Sequence, residues 1–492
     1  MNQDENVEVG TNNEVEKDHR YMKIKKFHFI MILFLLVFLT AGITTFALSV
    51  GEEKPIERIQ IKDREEFTKL YQTYEQLLSM YIEELDRDVL IEGAINGMVE
   101  AVGDPYTDYM TIEEAKKFYE SISSSFEGIG ATVEERDGNI TIVTPLKGSP
   151  AEAAGLKPND IILEVDGKSI QGMSSTEAVL LIRGEKGTEV ELTISRPGIK
   201  EPLKIKIVRD VIPIETVYSE MTDNKIGIIH ITSFSERTYD ELVEHLDELK
   251  KQGMVGLVLD LRQNPGGLLT QAIKIASHFV PNGEVIYQIE DRNGNRTRQL
   301  SNQKDPFDIP MVVVVDEGSA SASEIVAAAL KESKGVPVVG VKTFGKGTAQ
   351  SAGEFEDGSN LKITTSKWLT PSGNSINKNG IQPDVEVKLP EYASLPYVDP
   401  SLELKKDMIG NEIKVIEQML QALGYEVGKV DGIYDETLKK AVLKFQKDNK
   451  LEETGIVIDD TTRAIMQKLS DKITAEDPQI QKAKELLQSK SE

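Results

Sequence analysis

The chain of 492 residues contains no cysteine. That excludes disulfide stapling, thiolate nucleophiles and cysteine-ligated metals, and it leaves the redox compartment open. Histidine is scarce, with five in the whole chain. His19 and His28 precede or border a long apolar segment, while His230, His245 and His278 fall in strand-like or helix-like stretches, none in a glycine-rich loop. A histidine-based catalytic triad has only those three to draw on, and packing or surface roles suit them better. Positive charge is also short: 57 Lys and Arg face 82 Asp and Glu, a net charge of −25. Such an excess repels phosphates and argues against a nucleic-acid partner. No metal-ligand cluster, no phosphate-binding loop and no low-complexity tract is present, so the sequence calls for no metal and no cofactor.

One long apolar run stands out. Phe29 to Val50 carries 22 residues without a charge, enough to cross a bilayer core of roughly 30 Å. Lys17, Arg20, Lys23, Lys25 and Lys26 precede it, and Gly51, Glu52 and Glu53 follow. The positive-inside rule then predicts a cytoplasmic segment 1–27, a single-pass membrane anchor over 28–50 and an extracytoplasmic remainder. The alternative is a cleaved signal peptide, with cleavage near Thr45–Ala47, which yields a secreted form.

Beyond the anchor the pattern divides into blocks. Residues 62–122 show apolar spacing of helical period, interrupted by the turn-rich "GDPYTDYMT", and predict a helical region that serves as spacer, packing element or site of self-association into a homodimer. Residues 123–210 switch to short strands with turns at "RDG" and "VDG" and a helix at Ser175–Ile182. Residues 211–390 alternate strands and helices, with apolar runs such as Val312–Val315 that suit strands covered on both faces, which predicts an α/β core with a substantial sheet. A linker with Pro and Tyr (391–400) leads to a helical block (401–470), and a charged tail follows (471–492).

The chemistry concentrates around "GSASASEIVAAALKESKGVPVVGVKTFGKGTAQ", Gly318 to Gln350. A buried strand, a sharp loop and a helix beginning near Ser323 expose the loop serines, and a helix N-terminus stabilises a developing oxyanion. The competing reading is structural: Ser321-x-x-Glu324 fits a capping box. Downstream, Lys346 sits among glycines four residues before Gln350. A lysine acts as a general base only where burial lowers its pKa and a neighbour holds its nitrogen, a task open to the Gln350 amide oxygen. Upstream, "DLRQNPGG" ends a strand in Gly266 and Gly267, whose N–H groups, with that of Ala322, are candidates for an oxyanion hole. By physical argument alone Ser319 and Ser323 compete with Ser321, and Lys342 competes with Lys346.

Taken together, "DLRQNPGGLL", "EGSASASEI", "KTFGKGTAQ" and "TPSGNSINKNGIQPDVEV" resemble the C-terminal processing (tail-specific) serine peptidases, over roughly residues 63–390. The resemblance implies a crotonase/ClpP-like α/β core with an inserted PDZ domain, and a Ser–Lys dyad assisted by glutamine: Ser321 as nucleophile, Lys346 as base, Gln350 as its orienter. "GSPAEAAGLKPNDIILEVDG" resembles a PDZ domain. This places the loop Gly128-Ile129-Gly130-Ala131 where that family captures a peptide's C-terminal carboxylate, as an anion nest of backbone N–H groups. Ala131 departs from the large apolar residue usual there. Arg183, just past the helix, is either a carboxylate partner or a solvated helix-end cation. "LQALGY", "VDGIYDETLKKAVLKFQ" and "LEETGIVIDDTTRAIM" resemble a three-helix peptidoglycan-binding module, with Asp435 where glycine is frequent. The expectation is an anchored extracytoplasmic serine endopeptidase that acts on proteins with exposed C-termini, near peptidoglycan. The alternative is a non-catalytic scaffold that binds protein C-termini and the cell wall.

Overall fold

The computed structural model describes residues 65–489 apart from Asp137. The apolar run 29–50 and the segment before it lie outside the described residues; among the described residues no helix is long and apolar enough to cross a membrane. The chain divides into two units, Met1–Arg87 and Asp88–Glu492. In the first, a 3-10 turn Glu65–Phe67 runs into the helix Thr68–Met80, which buries none of its residues.

The second unit is organised around a six-stranded sheet. Its strands run, edge to edge, Val217–Met221, Ile226–Ile231, Gly256–Asp260, Met311–Val315, Val338–Gly340 and Val385–Glu386; the first pair is antiparallel and every later pair parallel. The apolar run Met311–Val315 is buried at every position because the sheet is covered on both sides. Val313 and Val315 point into a core shared with Leu242, Leu246, Ile275, Ile325 and Ala329 of three helices, Thr238–Lys251, Leu269–Phe279 and Ala322–Lys334. Val312 and Val314, on the opposite face by the period-2 geometry of a strand, pack with Ala483 and Leu487.

Those last two residues belong to the segment expected to be a charged tail. Instead it holds the helix Pro478–Gln488, started by proline at its first turn and by Asp477, whose carboxylate accepts from Gln479 N and Ile480 N. Its apolar residues Ile480, Ala483 and Leu487 recur at helical spacing but are diluted by lysines and glutamates, so composition hides a buried face. Arg262, at the end of a sheet strand, pairs with Asp477 at 2.7 Å and with Asp260 at 2.7 Å, joining this helix to the core. Burial works against the Asp260 charge, but the facing His230 and Arg262 draw its carboxyl down to about 2.

A second, antiparallel sheet contains Asp108–Met110, Asn360–Leu369, Val285–Glu290 and Arg296–Leu300, with Thr348–Glu354 also paired to Asn360–Leu369. The region expected to be helical therefore contributes a strand to this sheet, directly after the "GDPYT" turn.

Residues 125–213 form the β-domain. Six strands make its main sheet, Ala131–Arg136, Asn139–Pro145, Ile161–Val165, Glu189–Ser195 and Leu203–Val208 in order, with Lys168–Ser169 also paired to Ile161–Val165, and Ser125–Gly128 pairs separately with Asp210–Pro213. Its helix spans Ser175–Ile182, as the sequence predicts, opened by a Ser174/Glu177 capping box. Residues 411–475 hold three helices, Asn411–Ala422, Glu436–Asp448 and Asp459–Ala475, around a core that includes Ile416, Leu438, Phe445 and Ile465. Asp435 caps the middle one, accepting from Leu438 N at 2.8 Å, which accounts for an acid at that position.

Candidate active site

The three alternating serines have three different environments. Ser319 is fully buried and its hydroxyl donates to Leu261 O at 2.8 Å. Ser323 is also fully buried and donates to Asn264 O at 2.9 Å. Ser321 alone faces a cavity of about 560 Å³, which it shares with Lys346 and Gln350. Ser321 has φ +53° and ψ −110°, a conformation in which an L-residue is strained; such strain is held in place only where the surroundings over-determine it. Here they do. Asn264 O accepts from both Ala320 N and Ser323 Oγ, tying the serine turn to the "NPGG" turn.

The "NPGG" turn comes equally close from its own side. A Cβ on Gly266 would lie 2.9 Å from Ala320 O and from Ser321 Cβ, and one on Gly267 would lie 2.2 Å from Phe234 O. Glycine is required at both positions. Of the three N–H groups expected to form an oxyanion hole, that of Gly266 is already used, donating to Asn264 Oδ1 at 2.9 Å. Those of Gly267 and Ala322 have no acceptor among the described residues. Ala322 opens a 13-residue helix, where the first N–H groups have no intrahelical partner.

Lys346 is half-buried over the cavity. Burial lowers its pKa from the ordinary lysine value, and the nearby Lys362 lowers it further, against opposing pulls from Asp104 and Glu324. Lys342, its competitor in the sequence, is exposed and lines a different cavity, with His230, Asp260 and Arg262. The Gln350 amide nitrogen is taken up by Thr348 O, Thr348 Oγ1 and Thr364 Oγ1, which leaves its carbonyl oxygen as the free acceptor. Among the described residues no hydrogen bond joins Ser321 Oγ to Lys346 Nζ or Lys346 Nζ to Gln350, although the three residues line one cavity. Catalytic hydrogen bonds commonly tighten only when substrate is bound.

Glu324 has a larger role than its capping pattern indicates. It is fully buried, and its carboxylate accepts from Ser321 N, Gly345 N, Lys346 N and Thr343 Oγ1. One side chain thus fixes the backbone of both the serine turn and the lysine loop. Burial pushes its carboxyl up, opposed by these four donors. The sequence signal was present as Ser-x-x-Glu, but its other partners lie about twenty residues further on. The cavity wall also holds the apolar Phe118, Ile122, Leu268, Ile325 and Trp368 beside the polar Lys362, Thr365 and Ser366, and Tyr106 lies over Lys346 Nζ at 4.9 Å from the ring centroid.

Among the described residues no histidine lines this cavity. His245 Nδ1 meets Ser219 Oγ at 2.7 Å, and His278 stacks on Phe307. In the β-domain, Gly130 has φ +74° and a Cβ there would lie 2.5 Å from Ser149 Cβ; Gly128, Ile129 and Gly130 are buried and Ala131 begins the adjoining strand. Arg183 points its stem past Gly128, pairs with Glu120 at 3.6 Å and lies 4.7 Å over the Phe126 ring. It therefore joins the β-domain to the helix Ile112–Ile122.

Comparison with known proteins agrees with these divisions. The family model "Peptidase family S41" matches residues 225–387, a PDZ domain model residues 121–195, a CtpB-type activating-protease N-terminal domain residues 44–114, and a peptidoglycan-binding domain model residues 409–466. The chain is 51% identical over 421 residues to the carboxy-terminal processing protease CtpA of Bacillus subtilis (strain 168), covering 86% of this chain and 90% of that one. It is 44% identical over 416 residues to CtpB of the same organism, covering 84% and 87%. Among solved structures, a photosystem II D1 C-terminal processing protease is 31% identical with a TM-score of 0.40, covering 65% of this chain and 87% of that one.

Proposed function

Because the chain belongs to peptidase family S41, among the carboxy-terminal processing serine peptidases, we propose that Ser321 is its nucleophile, Lys346 its general base and Gln350 the residue that orients the base. One observation carries the assignment: of the three serines in the turn, two spend their hydroxyls on buried carbonyls, and the third opens onto the cavity of a half-buried lysine. Ser321 Oγ attacks the scissile carbonyl carbon while its proton passes to Lys346 Nζ. The tetrahedral oxyanion is held by the N–H groups of Gly267 and Ala322. The Lys346 ammonium then protonates the leaving amine, and the neutral amine later activates the water that hydrolyses the acyl-enzyme.

The PDZ domain presents substrate chains by their C-termini, the carboxylate meeting the Gly128–Ala131 loop and the peptide extending the strand Ala131–Arg136. The charge-free run 29–50 supports an anchor with an extracytoplasmic active site, and the match over 409–466 supports contact with peptidoglycan. The alternating sheet and helices of residues 217–386 support a crotonase/ClpP-like core. The helix Arg87–Glu100, which buries no residue and exposes Ile91 and Met98, supports self-association.

The test is cleavage of a reporter protein by the full chain and its variants. Ser321→Ala and Lys346→Ala abolish turnover with an unchanged melting temperature, whereas Lys342→Ala keeps it. Activity retained in Ser321→Ala would overturn the nucleophile, and loss in Lys342→Ala alone would move the base.

A further inference from the structure

The "GDPYT" turn, which the sequence offers only as a break between helices, is built into the wall of the catalytic cavity. Asp104 Oδ1 accepts from Tyr106 N at 3.3 Å and Asp104 Oδ2 from Thr107 Oγ1 at 2.6 Å. Thr107 Oγ1 in turn accepts from Thr364 N at 3.1 Å, and the next three residues pair in register with Asn360–Lys362. Thr364 is also a partner of Gln350. The turn is therefore fastened to the same strand that fixes the base's neighbour, and it presents the face of Tyr106 to Lys346 Nζ at 4.9 Å. The Tyr106 hydroxyl has no hydrogen-bond partner among the described residues, so the ring, not the phenol oxygen, is the part engaged.

We propose that Tyr106 is a positioning residue for the base: its ring face holds Lys346 Nζ toward Ser321 and stabilises the ammonium formed when Lys346 takes the serine proton. This rests on Lys346 being the base. The electrostatic need is plain. The charged and titratable groups facing Lys346 are Lys362 from the strand Asn360–Leu369, Asp104 from the turn and Glu324 from the helix Ala322–Lys334. Burial and Lys362 both disfavour a second positive charge at the moment it forms. A ring face attracts that charge without a formal negative charge that would hold the lysine permanently protonated. Lys362 has its own separate partners, the Phe118 ring at 5.3 Å and Asp108 at 3.5 Å, so the two lysines are held by different rings.

The experiment measures kcat and KM for a fluorogenic peptide with the full chain across pH. Tyr106→Phe keeps the face and leaves kcat within about twofold. Tyr106→Leu keeps apolar bulk without a π face: kcat on the alkaline plateau falls about tenfold with KM nearly unchanged, and the midpoint of the rising limb moves down by about half a pH unit, because the ammonium has lost a partner. If the leucine variant does not fold, Tyr106→Met is read in the same way. A leucine or methionine variant with wild-type plateau and midpoint overturns the proposal, as does a phenylalanine variant as impaired as leucine. Lys346→Ala is run alongside: activity retained there sinks the base assignment itself, whatever Tyr106 does.

Discussion

The two backbone sites proposed to meet negative oxygen are built differently. At the serine turn, one required glycine, Gly266, is wedged against Ser321 and the other, Gly267, against Phe234, and the unoccupied N–H groups come from two separate segments, Gly267 and Ala322, joined through Asn264. At the PDZ loop, the proposed donors are consecutive residues of one segment, with the close contact, Gly130 against Ser149, inside the same small domain. The first depends on long-range assembly and sits beside a titrating lysine; the second is local. A site that stabilises a transient charge has to be preorganised to fractions of an ångström, whereas a site that captures a stable carboxylate tolerates a looser frame.

Substitutions separate the two. The largest effect is expected for Gly266→Ala, whose Cβ would press on Ser321 and Ala322: peptidase kcat falls by about 10²-fold or more, while binding of a C-terminal peptide to the PDZ domain, read by fluorescence anisotropy, is unaltered. Next comes Glu324→Gln, which puts an amide donor among four donors. It lowers kcat about tenfold or more and costs about 1–3 kcal/mol of stability by thermal melt, again with peptide capture intact. Gly130→Ala has the reverse pattern: peptide affinity drops about tenfold through the strained φ and the Ser149 contact, while hydrolysis of a short peptide that bypasses the domain keeps its kcat. Titration distinguishes the sites as well. With Lys346 as the proposed base, its neutral amine is the working form and its pKa is lowered, so cleavage is expected to rise with pH through a midpoint below the ordinary lysine range. Capture of a carboxylate by backbone N–H groups stays flat over the same interval. The smallest expected effect is that of Arg463→Ala, which removes a 3.0 Å pair with Glu134 on the PDZ strand and shifts stability by no more than about 1 kcal/mol.

Much of this was legible where the chemistry is written locally. Glycine punctuation around "SAS", "NPGG" and "FGKGT" marks turns that glycine alone can make, and the helix expected at about Ser175–Ile182 is found there. What stayed hidden depends on tertiary placement. The choice among Ser319, Ser321 and Ser323 rests on which hydroxyls meet buried carbonyls. Asn264 decides that Gly267, not Gly266, keeps a free N–H. Glu324 looked like a cap because its other partners are distant in sequence, and Tyr106 looked like part of a turn because nothing local connects it to a lysine 240 residues later. The helix Pro478–Gln488 was lost to its own charge.

That helix bears on the order of events during synthesis. The strand Met311–Val315, which leads into the serine turn, has one face closed by helices near it in the chain and the other by residues that leave the ribosome more than 160 positions later. Until Ala483 and Leu487 arrive, Val312 and Val314 lack these two apolar partners, and the sheet beneath Ser321 lacks this part of its second layer. The second layer of this sheet is therefore completed only after the PDZ and C-terminal modules have been made.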